Sequence, residues 1–187
     1  EEEEARIEAE TARLKAILGN IIYSDREDTL QGCIGRLLSG CGKTLSAAES
    51  CTGGTISELI TSVPGSSGYY LGSVTSYANE IKTKVLGVPE EIIAEYGAVS
   101  RECVAAMAEG VRKLTGSDFS VATSGIAGPG GGSADKPVGL VWIGVSSDKG
   151  TETFQTIFKG DRKRNMERFA ATALNYLRVK LVNELNH

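Results

Sequence analysis

Apolar and polar positions along this chain repeat in two different periods, and the switches between them outline its elements. Residues 2–18 form a polar stretch with Ile7, Leu14, Ile17 and Leu18 on one side, which predicts a helix. A short apolar segment, Ile21–Tyr23, follows it. Leu30, Cys33, Ile34, Leu37 and Leu38 then recur at helical spacing, and Gly40 reads as a stop signal. Thr44–Glu49 reads as a strand, followed by a helix that starts near Gly53, runs through Ile56, Leu59 and Ile60, and ends before Pro64. Strand formers dominate Tyr69–Tyr77. Two short helices are predicted over Ala78–Leu86 and Pro89–Tyr96, the second with proline near its first turn. Ser100 is placed to cap a helix running to Leu114. Phe119–Thr123, Gly139–Ser146 and Thr153–Phe158 read as strands, the last two joined by a turn at Asp148-Lys149-Gly150. Asp161 can cap a long final helix reaching about Asn183.

Helices interleaved with strands, then a late hairpin, indicate an α/β sandwich with a mixed sheet. The first 25 or so residues look peripheral to this core. No internal repeat is visible.

Composition narrows the function classes. At 187 residues with 41% apolar side chains, the chain can bury a proper core. A net charge of −4, with no long basic run, argues against a general nucleic-acid-binding role. The apolar runs are too short to cross a bilayer, and no signal peptide is visible, so a cytoplasmic location is expected. The start Glu-Glu-Glu-Glu, without methionine, reads as the solvated beginning of a helix in a piece of something longer. The four cysteines, Cys33, Cys41, Cys51 and Cys103, form no C-x-x-C pair, and reduced thiols are the plain reading. The only histidine is His187, the last residue. That disfavours a zinc site and leaves little room for Ser-His-Asp, Cys-His or His-ligated metal chemistry.

The candidate chemistry gathers at junctions between elements. Ala48-Glu49-Ser50-Cys51-Thr52-Gly53-Gly54 lies where a strand runs into a helix. There a serine sits beside free helix N–H groups that can stabilise negative charge, and the glycines permit close approach to the backbone. From the residues alone a helix cap is the plainer reading of Ser50, since Ser-Cys-Thr-Gly-Gly supplies good capping chemistry whatever the function. Cys51 is a rival nucleophile, although without histidine its thiolate would depend on the helix dipole or a lysine. If Ser50 is the nucleophile its base must be another group, and lysine leads. Ser76-Tyr77-Ala78-Asn79-Glu80-Ile81-Lys82 supplies one at a strand end; in a site lacking solvent its pKa can fall far enough for base work. Surface decoration is the plainer alternative. The glycine-rich turn Thr123–Ser133 follows a strand, as α/β ligand loops do, or else is a flexible linker. Gly160-Asp161-Arg162-Lys163-Arg164-Asn165 opens a helix with two arginines, a candidate anion site or simply a capped, solvated start. Gly40-Cys41-Gly42-Lys43-Thr44 is not a P-loop: position 37 is Leu37 rather than glycine, and helix precedes strand.

Taken together, and with Gly-Ala-Val-Ser at 97–100, these motifs closely resemble the C-terminal domain of the competence/damage-inducible protein CinA over about residues 28–184. Residues 1–27 resemble the end of the region that precedes this domain in full-length members. The resemblance implies a three-layer α/β/α sandwich, commonly a homodimer. It also implies a nicotinamide-nucleotide amidase that converts nicotinamide mononucleotide to nicotinate mononucleotide and ammonia, in pyridine nucleotide recycling, with no metal or organic cofactor. The pyrophosphatase domain of full-length members has no counterpart in this stretch. Carried over residue by residue, the family pattern selects Ser50 as nucleophile and Tyr77 and Lys82 as its activating partners, Lys82 taking the proton directly or through Tyr77. N–H groups around Thr52, Gly53 and Gly54 are expected at the oxyanion. Thr123, Ser124 and Gly125 are expected at the ligand, Arg162 at its phosphate, and Arg164 as a weaker second contact. A further arginine of the family pattern is absent here, where Asn165 or Met166 stands, which weakens that second contact. The alternative class is a non-catalytic nucleotide-binding or protein-interaction module linked to competence or DNA damage.

Overall fold

The five strands expected from the alternation pair into one mixed sheet in a computed structural model that describes residues 2–24 and 27–185, with Asn20 in its backbone alone. Glu1 and His187 lie outside the described residues. The chain runs α1 (Glu2–Leu18), α2 (Leu30–Gly40), β1 (Leu45–Glu49), α3 (Thr55–Thr61), β2 (Tyr70–Thr75), α4 (Asn79–Lys84), α5 (Glu90–Tyr96) and α6 (Arg101–Thr115). It continues through β3 (Phe119–Gly125), β4 (Leu140–Ser147), β5 (Gly150–Ile157) and α7 (Arg162–Leu185). The strand order is β2-β1-β3-β4-β5, with β2, β1 and β3 parallel and β4 and β5 antiparallel.

Period-two alternation assigns the two faces of the sheet. Leu45 and Ala47 of β1, with Phe119 and Val121 of β3, join α2, α3 and α7 in one core through Ile34, Leu38, Ile56, Ile60, Phe169, Leu174 and Leu177. Ala48 and Ala122 face the other way, against Val104, Met107, Ala108 and Val111 of α6 and Leu86 and Val88 from the turn after α4. Helices therefore cover both faces, giving three layers. The α6 side is built from small residues, so the helix sits close to the strands: a Cβ on Gly144 would lie 2.7 Å from Val104 O. α1 stands apart, with no buried residue. Among the described residues no helix is long and apolar enough to cross a membrane.

Several boundaries move for physical reasons. Gly40 lies inside α2, whose cap is Cys41. α3 begins at Thr55 rather than near Gly53, because Gly53 and Gly54 take φ of +62° and +110° to turn the chain. The hairpin closes in two residues, Asp148 and Lys149, so β5 starts at Gly150, paired with Ser147. Ser100 caps α6 as expected, accepting from the Cys103 N–H at 3.2 Å.

α6 also fixes the turn after α4, and this makes a prediction. A Cβ on Gly110 would meet Leu86 O at 2.0 Å and Leu86 C at 2.9 Å, backbone that cannot rotate away. Gly110→Ala is expected to cost about 3 kcal/mol or more by overpacking, lowering Tm by roughly 6–12 °C in thermal unfolding. An unchanged Tm would refute this close approach.

Candidate functional site

Because β1, β2 and β3 are parallel, with Glu49 opposite both Thr75 and Thr123, β1 and β2 end at one level and β3 runs two residues further, to Gly125. The residues that follow those three, Ser50, Ser76 and Ser124, therefore stand side by side at one edge of the sheet. α/β folds bind ligands at that edge. A cavity of about 220 Å³ opens there, lined by Ser50, Tyr77, Lys82, Ser124, Gly125 and Arg162 among others. The structure thus brings together six residues singled out in four separate sequence motifs. Ser50 and Lys82 share one wall-to-wall space instead of lying on opposite sides of the sheet.

Lys82 is the most unusual side chain present. Only 1% of it is exposed, and it is among the largest fully buried side chains among the described residues. Its amine donates to Ser76 O at 2.7 Å and to Tyr77 O at 3.3 Å, both backbone carbonyls. No carboxylate pairs with it among the described residues, and burial holds its pKa below the ordinary lysine value. With two N–H bonds directed to carbonyls, a neutral amine keeps its lone pair for a third partner.

Ser50 is 9% exposed, and its backbone is tied on both sides: its N–H donates to Thr123 O at 3.0 Å and its carbonyl accepts from Gly53 N at 3.2 Å. Burial pushes the neighbouring Cys51 thiol up to about 12, so at neutral pH this rival nucleophile is a protonated, inert thiol. Cys51 lines the cavity as part of its wall.

The helix start beside Ser50 differs from the sequence expectation. Its N–H groups are not free, because the adjacent Glu49 carboxylate accepts from Gly54 N, Ile56 N and Ser57 N at 2.9–3.0 Å. Gly53 N is also engaged, with the Ser50 carbonyl. The Gly53 and Gly54 N–H groups therefore do not point at an oxyanion in this structure. Periodicity gave no warning, since a strand-end glutamate looks like an exposed residue; only the glycine turn folds α3 back onto it.

Thr52 and Thr123 are not among the residues that line the cavity. Both are buried, with their hydroxyls 2.8 Å apart, so Thr123 supports the elbow and does not line the cavity. Ser124 lines it, but its hydroxyl donates to Ala98 O at 2.7 Å, fixing the segment before α6.

At the other wall, Tyr77 is 62% exposed and its hydroxyl accepts from Arg162 Nη2 at 3.0 Å. Tyr77 meets Lys82 through its carbonyl and Arg162 through its phenol. Arg162 Nη1 also donates to Gly128 O at 2.9 Å, which fastens the glycine loop to the start of α7. Asp161 caps that helix, accepting from Arg164 N at 2.9 Å. Arg164 itself points to solvent against Asp161 and is not part of the cavity lining. Asn165 is buried, donating to Ala127 O and Gly160 O at 3.0 Å. Neither it nor the half-buried Met166 adds a cation, so Arg162 is the arginine of this cavity wall.

A profile described as the CinA C-terminal domain matches residues 27–181. The chain belongs to the CinA C-terminal domain family. A CinA-like protein of Endomicrobium trichonymphae is 48% identical over 184 residues, covering 96% of this chain and 43% of that protein. A putative competence-damage inducible protein of Moorella thermoacetica is 47% identical over 146 residues, covering 78% of this chain and 35% of its own length. This chain thus spans less than half the length of those two CinA relatives. Among solved structures, a CinA superfamily protein of Klebsiella pneumoniae superposes with a TM-score of 0.80 at 34% identity, covering 82% of this chain and 96% of that one. The competence/damage inducible protein CihA of Agrobacterium tumefaciens gives 0.78 at 36% identity, covering 84% and 94%. The α/β/α sandwich described above is therefore the CinA fold.

Proposed function

We propose that this CinA domain is an amidohydrolase that converts nicotinamide mononucleotide and water to nicotinate mononucleotide and ammonia by a Ser–Lys mechanism. One observation carries the reading: a serine and a buried lysine, with no carboxylate partner among the described residues, share a cavity that has an arginine in its wall. Neutral Lys82 takes the Ser50 proton as Oγ attacks the carboxamide carbon, giving a tetrahedral oxyanion. The ammonium of Lys82 then protonates the departing nitrogen, ammonia leaves, and an acyl-serine remains. Water, deprotonated by Lys82, cleaves that ester and returns Ser50. The cationic pyridinium of the substrate makes the carboxamide carbon electrophilic and favours an uncharged Lys82 beside it. Arg162 supplies the charge that a phosphate ester requires, and Tyr77, held by Arg162, closes the same wall. The CinA family resemblance supports the choice of substrate.

Ammonia release from nicotinamide mononucleotide by the purified chain, measured in a coupled assay, tests the reading. No turnover at micromolar protein would overturn it in favour of a nucleotide-binding module. Arg162→Ala is expected to raise KM for nicotinamide mononucleotide about 10–100-fold, the worth of one charge-assisted hydrogen bond of roughly 1.5–3 kcal/mol. The riboside, which lacks the phosphate, should show little change. Equal effects on both substrates would remove Arg162 from the phosphate.

A further inference from the structure

The elbow that carries Ser50 is closed by the side chain immediately before it. Glu49 ends β1 and is fully buried, yet its carboxylate accepts from five donors further along the chain. Thr52 Oγ1, Gly54 N and Ile56 N reach one oxygen at 2.7, 3.0 and 3.0 Å. Ser57 N and Ser57 Oγ reach the other at 2.9 and 2.6 Å. The chain thus leaves the strand at Glu49, turns through Ser50 and Cys51, and returns to the same carboxylate from Thr52 onward. Ser50 lies on the part of the loop spanned by that clasp.

The network extends across all three parallel strands. Thr52 Oγ1 lies 2.8 Å from Thr123 Oγ1 on β3, and the Thr123 carbonyl receives the Ser50 N–H. Ser57 Oγ lies 2.8 Å from Tyr70 Oη and 2.7 Å from Ser73 Oγ, both on β2. A buried carboxylate is costly unless fully hydrogen-bonded, and here each oxygen is. It also complements the positive end of α3, which keeps that end from serving an external anion.

We propose that Glu49 is the positioning residue for Ser50. Through Thr52 and Thr123 it sets where the Ser50 hydroxyl stands relative to Lys82, without touching substrate. The proposal rests on the amidase reading for its kinetic consequence but not for its structural one. A glutamine at 49 keeps a single acceptor oxygen and turns an NH2 toward backbone N–H donors, so the clasp opens. Misplacing a nucleophile by about 1 Å costs on the order of 100-fold in rate.

Two variants test this, Glu49→Gln and the milder, nearly isosteric Thr52→Val, which removes only the hydroxyl that joins Glu49 to Thr123. In both, kcat on nicotinamide mononucleotide is expected to fall about 10–100-fold, with KM within about threefold and the pH midpoint set by Lys82 unmoved. Amide hydrogen exchange at Ser50 should accelerate at least about tenfold, while the β4–β5 hairpin keeps its protection. A lower Tm with wild-type kcat per folded molecule, or unaltered exchange at Ser50 in Thr52→Val, would overturn the proposal. Should Glu49→Gln fail to fold, Thr52→Val decides alone. Should the wild-type chain release no ammonia, the amidase reading fails, and the exchange measurement still decides whether the clasp holds Ser50.

Discussion

Lys82→Met is expected to lower kcat for amide hydrolysis about 100- to 10,000-fold while leaving the fold in place. Methionine fills a similar volume, and its thioether sulfur is far too weak a base to take the Ser50 proton. The stability side can be worked out by sign. Burial lowers the folded-state pKa of Lys82 below its ordinary value, so between the two values the unfolded chain binds more protons. Stability from this group therefore rises with pH across that window and is lowest below the folded-state value, where the buried amine must hold its proton. Methionine removes that penalty but leaves Ser76 O and Tyr77 O without their donor, a loss of about 1–3 kcal/mol. The two effects oppose below the folded-state value of Lys82, so Tm there should change by only a few degrees. In the wild-type chain kcat/KM should climb as Lys82 loses its proton, with a midpoint below the ordinary lysine value, and the variant should lose that limb. Wild-type turnover in Lys82→Met would end the Ser–Lys scheme.

Ser50→Ala should be at least as severe, on the order of 10⁴-fold or more in kcat, because no acyl intermediate can then form. Cys51 cannot take over: its thiol is pushed up to about 12 and belongs to the wall. Arg162 and the rest of the cavity wall remain, so nicotinamide mononucleotide should still bind within a fewfold of wild type by calorimetry. Catalysis lost with binding kept is the signature of a missing nucleophile. Turnover retained in Ser50→Ala would move the chemistry elsewhere, and binding lost with turnover would make Ser50 a ligand contact.

The same residues separate what was legible in the chain from what was not. The strand–turn–helix junction at Ser50, the lysine after β2 and the arginine at the start of α7 were all visible, because each sits at a change of hydrophobic period or at a capping residue. Arg162 and Arg164 stand two positions apart in one capped start, with Arg164 expected as the weaker second contact. On α7 they face differently, so one enters the cavity wall and the other meets Asp161 in solvent. Thr123 and Ser124 are adjacent candidates for ligand contact, and strand alternation sends their hydroxyls to opposite sides, one to Thr52 and one to Ala98. Glu49 carries no such mark in the chain, where it is only the polar residue ahead of a serine.

The amino-acid order alone determined the sequence of elements, the two apolar faces of the sheet and the turns at which chemistry could sit, since these follow from spacings of two to four residues. Only the tertiary structure decided which groups were available. The parallel register brought Ser50, Ser76 and Ser124 to one level, burial left an amine with no carboxylate partner among the described residues, and a folded-back carboxylate claimed the helix start. Availability depends on burial and on partners distant along the chain, and no local spacing encodes either.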